Sequence, residues 1–167
     1  MWMDDAVPME IIGVRIELPT NTPILLLRER DGNRYLPIWI GTPEATAIAL
    51  ALEGVETARP LTHDLLRTIL EALGAAVEQV NVTGLDEGTF FADLILGANG
   101  DELTISSRPS DAIALATRTG APVFASRALL DEAGVEIHDE DEEAEIAQFK
   151  EFLDDINPED FEAPAQS

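Results

Sequence analysis

Acidic, basic and imidazole side chains gather at the starts of three segments that read as helices, and any chemistry would rest on them. Glu44 follows Gly41-Thr42-Pro43, His63 and Asp64 follow Thr62, and Ser110 and Asp111 follow Arg108-Pro109. A first-turn carboxylate is favoured by the helix dipole by about 0.3–1 kcal/mol, so each acid alone has an ordinary structural explanation. Together they form another pattern. Carboxylates that converge from separate chain segments can hold Mg2+ or Mn2+, which activates water and shields phosphate charge while a histidine moves a proton. Glu44, Asp64 and Asp111 are therefore the candidate metal ligands, and with His63 the candidate catalytic residues. Arg59 and Arg108 each stand beside a proline at a helix entrance. A guanidinium there can grip a phosphate through two parallel hydrogen bonds, or pair with a neighbouring helix-start acid.

The elements that must position these groups are legible. Met9–Leu18, Ile24–Arg30 and Arg34–Ile40 are rich in β-branched and apolar residues, are separated by Pro19–Pro23 and Asp31-Gly32-Asn33, and read as three strands. Pro37 places the third at an edge or bulge. Thr42 is the expected cap of a helix over Ala45–Leu52, with Pro43 where it costs no hydrogen bond and Gly54 as the stop. Thr62 is the expected cap of a second helix, His63–Leu73, whose Leu65, Leu66, Ile69, Leu70 and Leu73 recur at helical spacing and predict a buried face. Strands follow over Ala76–Val82, Thr89–Leu96 and Glu102–Ser106, then a helix from Ser107. Shifting the chain by 65 residues lays Ala112–Ala116 over Ala47–Ala51 and Ser107 over Thr42. That order predicts an α+β fold of duplicated βββα units, with a mixed sheet curled toward a barrel and helices packed on it. A short strand at Ala121–Ala125 and a small helix over Arg127–Ala133 complete a domain of residues 1–137.

Composition excludes several classes. Without cysteine, and with only His63 and His138, the chain has no thiolate chemistry and no imidazole-rich zinc site. No apolar run reaches the roughly 20 residues of a membrane span, and the acidic start lacks a signal peptide's basic region, so a cytoplasmic protein with no membrane partner is expected. The charge is −23, from 10 Lys+Arg against 33 Asp+Glu, and residues 138–167 carry 12 acids against Lys150. Polyanion affinity normally comes from basic side chains, so charge alone argues against tight nucleic-acid binding. Within that acidic tail, Ile146, Phe149, Phe152, Leu153 and Ile156 line one side of an amphipathic helix. No phosphate-binding glycine loop, dinucleotide fingerprint or serine-nucleophile elbow occurs, and no organic cofactor is expected.

Five strings in order give the chain a resemblance: Tyr35-Leu-Pro-Ile-Trp-Ile-Gly41, Glu44-Ala45 with Ala47-Ile-Ala-Leu50, Arg59-Pro-Leu-Thr-His-Asp-Leu65, Glu87-Gly-Thr-Phe90 and Arg108-Pro-Ser-Asp-Ala-Ile-Ala114. Over about residues 9–137 it resembles the bifunctional nuclease domain family of bacteria and plants. The resemblance implies a strongly bent α+β sheet, a homodimer or higher homo-oligomer, and cleavage of both DNA and RNA. Its motif positions coincide with Glu44, Arg59, His63, Asp64, Arg108, Ser110 and Asp111, which makes Arg59, Arg108 and Ser110 the candidate substrate-binding residues. Where the family often has Asp-Ala-Arg, this chain has Ser106-Ser107-Arg108, and so supplies no acid there. Two functions follow: a divalent-metal-dependent nuclease acting on nucleic acid, or a non-catalytic module that binds a protein or small ligand.

Overall fold

A computed structural model describes residues 5–136. The chain divides into two units, Met1–Val135 and Glu136–Ser167, and the fold is that of the first. The amphipathic helix expected within residues 138–167 lies outside the described residues. Strands β1 (Ala6–Glu17), β2 (Thr22–Glu29) and β3 (Arg34–Trp39) form an antiparallel meander that runs into helix α1 (Thr42–Leu52). Helix α2 (Thr62–Ala72) leads to a second meander, β4 (Ala75–Asp86), β5 (Thr89–Ala98) and β6 (Asp101–Ser107), which runs into helix α3 (Pro109–Thr119). Strand β7 (Val123–Ser126), helix α4 (Arg127–Ala133) and the two-residue β8 (Val135–Glu136) follow.

The strands make one sheet in the order β6-β5-β4-β7-β1-β2-β3-β8. β7 lies between the two meanders, antiparallel to β1 and parallel to β4, and so joins their backbones into one ladder. The class is α+β, as expected. Barrel-like closure is not found among the described residues: β6 and β8 stand at the two ends of the strand order, they do not pair with each other, and a two-residue strand is too short for the continuous ladder that closure demands. Tight turns hold the second meander in register. Glu87-Gly88 and Asn99-Gly100 have positive φ at both central positions, the geometry whose twist matches two-residue hairpins.

The core is made by alternate residues of the strands and by α3. Val7, Met9, Leu25, Leu27, Leu36, Ile38, Val80 and Val82 face the same interior as Ala112–Ala116, all five of which are buried. The alanines of α3 and the buried Ala45 and Ala47 of α1 carry little bulk, so the two helices pack close enough for their first turns to share one surface. Both helices begin differently from the expectation. Thr42 and Ser107 do not cap; the caps are Gly41 and Arg108, neither through its side chain, and Ser107 Oγ donates to the Arg108 carbonyl at 2.8 Å. A Cβ at Gly41 would come within 2.5 Å of Glu44 Oε2, so with glycine there the carboxylate folds back over the helix start without having to shift. The second cap is also displaced, from Thr62 to Leu61.

Helix α2 departs most from its reading. Its apolar stripe is largely solvent-facing: Leu65 is 49% and Leu73 is 71% exposed, Leu66 and Ile69 are also exposed, and only Leu70 packs against the core. His63, placed by its spacing off that stripe, is the buried residue of the helix.

Candidate functional site

The first turns of α1, α2 and α3 meet at one place, and Asp111 is the residue that joins them. Its Oδ1 lies 3.0 Å from His63 Nε2 and its Oδ2 accepts from Arg108 Nε at 2.8 Å. Arg108 Nη2 donates in turn to Glu44 Oε1 at 2.7 Å. A continuous chain, Glu44–Arg108–Asp111–His63, thus crosses three helix starts that the sequence separates by 64 and 48 positions. Each helix start presents a short side chain in its first turn, where the free N–H groups and the dipole favour an acid.

A second clasp lies behind the first. Arg118, two turns beyond Asp111 on α3, donates from Nε to Asp64 Oδ1 at 2.6 Å, from Nη1 to the Ala114 carbonyl at 2.8 Å and from Nη2 to the Ala47 carbonyl at 3.1 Å. Asp64 Oδ2 accepts the Leu61 N–H at 2.9 Å and so closes the start of its own helix. The Arg118 side chain is only 6% exposed. Sequence reasoning passed over it. The available signal was its position seven residues after Asp111, on the same helix face, in a chain with ten basic residues.

These contacts fix the protonation states. Burial pushes the Asp111 carboxyl up, but hydrogen bonds from His63 and Arg108 outweigh it and hold the group below the usual carboxylate value. At Asp64 burial also acts upward, and Arg118 and the Leu61 N–H bring the net shift downward. Asp111 and Glu44 raise the Arg108 guanidinium, which stays charged. An ionised Asp111 only accepts, so Nε2 of His63 carries a proton and donates; in the neutral ring, Nδ1 is then the acceptor. Two guanidiniums face three carboxylates, a sum of −1 with His63 neutral.

Of the residues singled out by sequence, Glu44, His63, Asp64, Arg108 and Asp111 come together. Ser110 is buried beside them and, with Arg108, lines a cavity of about 310 Å3. Arg59 does not join: its carbonyl accepts from Thr57 Oγ1 at 2.6 Å, and its side chain takes no part in the ion-pair chain. Nor do the residues fit a divalent cation. Both oxygens of Asp64, both of Asp111 and one of Glu44 already accept from protein donors. No three His, Asp or Glu side chains among the described residues are arranged to share a metal ion. The arrangement instead offers an oriented imidazole, a fixed guanidinium and an acidic residue that holds both.

A family model described as the bifunctional nuclease domain matches residues 25–138, which contain every member of this cluster. The chain belongs to that family. An uncharacterized protein of Mycobacterium tuberculosis is 51% identical over 163 residues, 93% of this chain and 98% of its own length. Two proteins named bifunctional nuclease 2 are each 29% identical, over 68% of this chain for the one from Oryza sativa subsp. japonica and 73% for the one from Arabidopsis thaliana. The match spans 36% and 39% of those plant proteins, so more than half of each lies outside it. Within this bifunctional nuclease domain, Trp39–Gly41 and Arg108–Ser110 both line the cavity.

Proposed function

We propose that this protein hydrolyses phosphodiester bonds of nucleic acid, with His63, Asp111 and Arg108 as the working group. What carries the reading is Asp111 itself, which holds the imidazole and the guanidinium on its two oxygens and so fixes one relative to the other. In the reaction, the oxygen of a water molecule bonds to phosphorus, its proton passes to His63 Nδ1, and as the ester P–O bond breaks that proton is passed on to the leaving oxygen, which returns the imidazole to its neutral form. Arg108 Nη1 has no partner among the described residues and is the donor for a phosphoryl oxygen. Asp111 is a positioning residue, Glu44 steadies Arg108, and Asp64 with Arg118 steadies the start of α2. No step passes through a metal ion.

The test is cleavage of DNA and RNA oligonucleotides by purified protein, with and without a chelator, beside His63→Ala and Asp111→Asn. The reading requires a loss of about 100-fold or more in each variant, with thermal melting showing that both remain folded. Cleavage undiminished in either folded variant would assign the activity to a contaminant.

One observation favours a second reading, a non-catalytic interaction module. Every carboxylate of the cluster is already engaged and the chain carries −23, a combination suited to holding three helices together and poorly suited to attracting a polyanion. We further propose that the chain associates with itself through the exposed apolar face of α2, whose Leu65, Ile69 and Leu73 make a contiguous patch unlike an ordinary solvated helix.

A further inference from the structure

The cavity beside Arg108 has walls of a distinct kind. Trp39, at the end of β3, is 56% exposed, although an indole is among the costliest side chains to leave in water. Phe90 of β5, Ile38 and Pro109 supply further carbon surface, and the polar side chains are Thr89, Ser110 and Arg108, of which Arg108 alone is charged. A volume of about 310 Å3 stands at the small end of the roughly 300–1,000 Å3 typical of ligand sites. The chemistry that matches is one flat ring system with one anionic group attached.

Charge narrows the choice. A protein at −23 with the cluster itself at −1 cannot gain much from tracking a phosphate backbone, because that gain comes from many cations displacing counterions. Affinity for nucleic acid must therefore come from the bases. In a duplex the faces of each base are covered by its neighbours and only its edges reach the grooves. A base in a single strand can turn its face to an indole, a contact that tolerates any sequence.

We infer that the Trp39–Phe90 cavity is a stacking subsite for one unpaired nucleobase, with the Arg108 guanidinium on the adjoining phosphate, so that the substrate class is single-stranded nucleic acid. This rests on the nuclease reading for its purpose, while its own observable is binding. Two features distinguish it from backbone binding. Affinity falls only weakly with salt, with a slope of about −0.7 in log K against log salt for one phosphate on a single strand. A strand lacking bases does not bind.

The chain has two tryptophans, Trp2 and Trp39, so a Trp2→Phe variant reports on the cavity alone. Its fluorescence is titrated with ten-nucleotide single strands, the matching duplex and an abasic strand, and binding and cleavage are repeated in Trp39→Ala and Trp39→Phe. The expected result is quenching by the single strands only, about tenfold or greater weakening in Trp39→Ala, and partial retention in Trp39→Phe. Quenching together with absence of cleavage would uphold the subsite and reject the nuclease reading. Cleavage with no quenching, or with KM unmoved in a folded Trp39→Ala, would reject the subsite and leave the nuclease reading standing. Equal quenching by the abasic strand, or a change of oligomeric mass in Trp39→Ala with oligonucleotide binding intact, would also overturn the subsite.

Discussion

Arg118 reaches Asp64 across 54 positions of sequence, with Nε 2.6 Å from Oδ1, and ties the last turn of α3 to the first turn of α2. The same guanidinium holds carbonyls of α3 and α1, so one side chain fixes the three helices whose starts form the site. Its burial gives the contact its weight: a charged hydrogen bond shielded from water contributes more than one at the surface.

Replacing Arg118 by Met should therefore destabilise the fold by about 2–3 kcal/mol, because two carbonyls and a carboxylate lose their donor together. Lys should recover little of this, since a single ammonium cannot reproduce a planar fork aimed at three acceptors. Denaturant melts of the two variants measure the difference. A loss under about 0.5 kcal/mol in Arg118→Met would mean that the clasp holds nothing.

The lowered carboxyls of Asp64 and Asp111 set an acid limit. A group whose pKa is lower in the folded chain binds fewer protons there than when unfolded, so stability rises with pH through that region. Their contribution should be complete above the ordinary aspartate value near 4, and should disappear as pH falls through the lower folded values. Thermal melts between pH 7 and pH 2.5 should show a shallower acid decline in Asp64→Asn than in the parent. Equal declines would remove Asp64 from the account.

Much of this arrangement was open to sequence reading where the cause is local. Pro43 and Pro109 mark helix entrances because proline belongs in a first turn, and Gly54, at positive φ, follows the end of its helix where a side chain would be strained. The site residues Glu44, His63, Asp64, Arg108 and Asp111 stood out through their places in those first turns. What stayed hidden depends on distant partners. The parallel pairing of β7 with β4 is set by where the chain returns after α3, and the stripe on α2 shows only that one face is apolar, not which neighbour covers it. Arg118 was missed because its reason for being there lies on another helix.

That stripe yields a prediction of its own. Leu65→Glu with Ile69→Glu puts two charges on an already acidic protein, at exposed positions where the isolated fold has little to lose. Light scattering should show the parent as an oligomer and the variant as a monomer with a melting temperature no higher than the parent's. A monomeric parent would remove the self-association proposal.

At Arg108, which is 64% exposed, truncation should spare the fold and act on the reaction. Arg108→Ala should lower kcat/KM on oligonucleotides by about 100-fold, as for loss of one fixed donor to a developing anion. Arg108→Lys should restore only a fraction, because it keeps the charge and loses the fork. Steady-state kinetics of the three proteins separate these cases, and unchanged kcat/KM in the alanine variant would take Arg108 out of the reaction.

The claim on which the rest depends is that His63 and Asp111 act as one unit. A double-mutant cycle in kcat/KM measures this directly, using His63→Ala, Asp111→Asn and both together, each checked for folding. The account predicts that either single change costs nearly as much as the pair, so that the second adds less than about threefold. Losses that multiply independently, or a folded single variant that cleaves as fast as the parent, would contradict it.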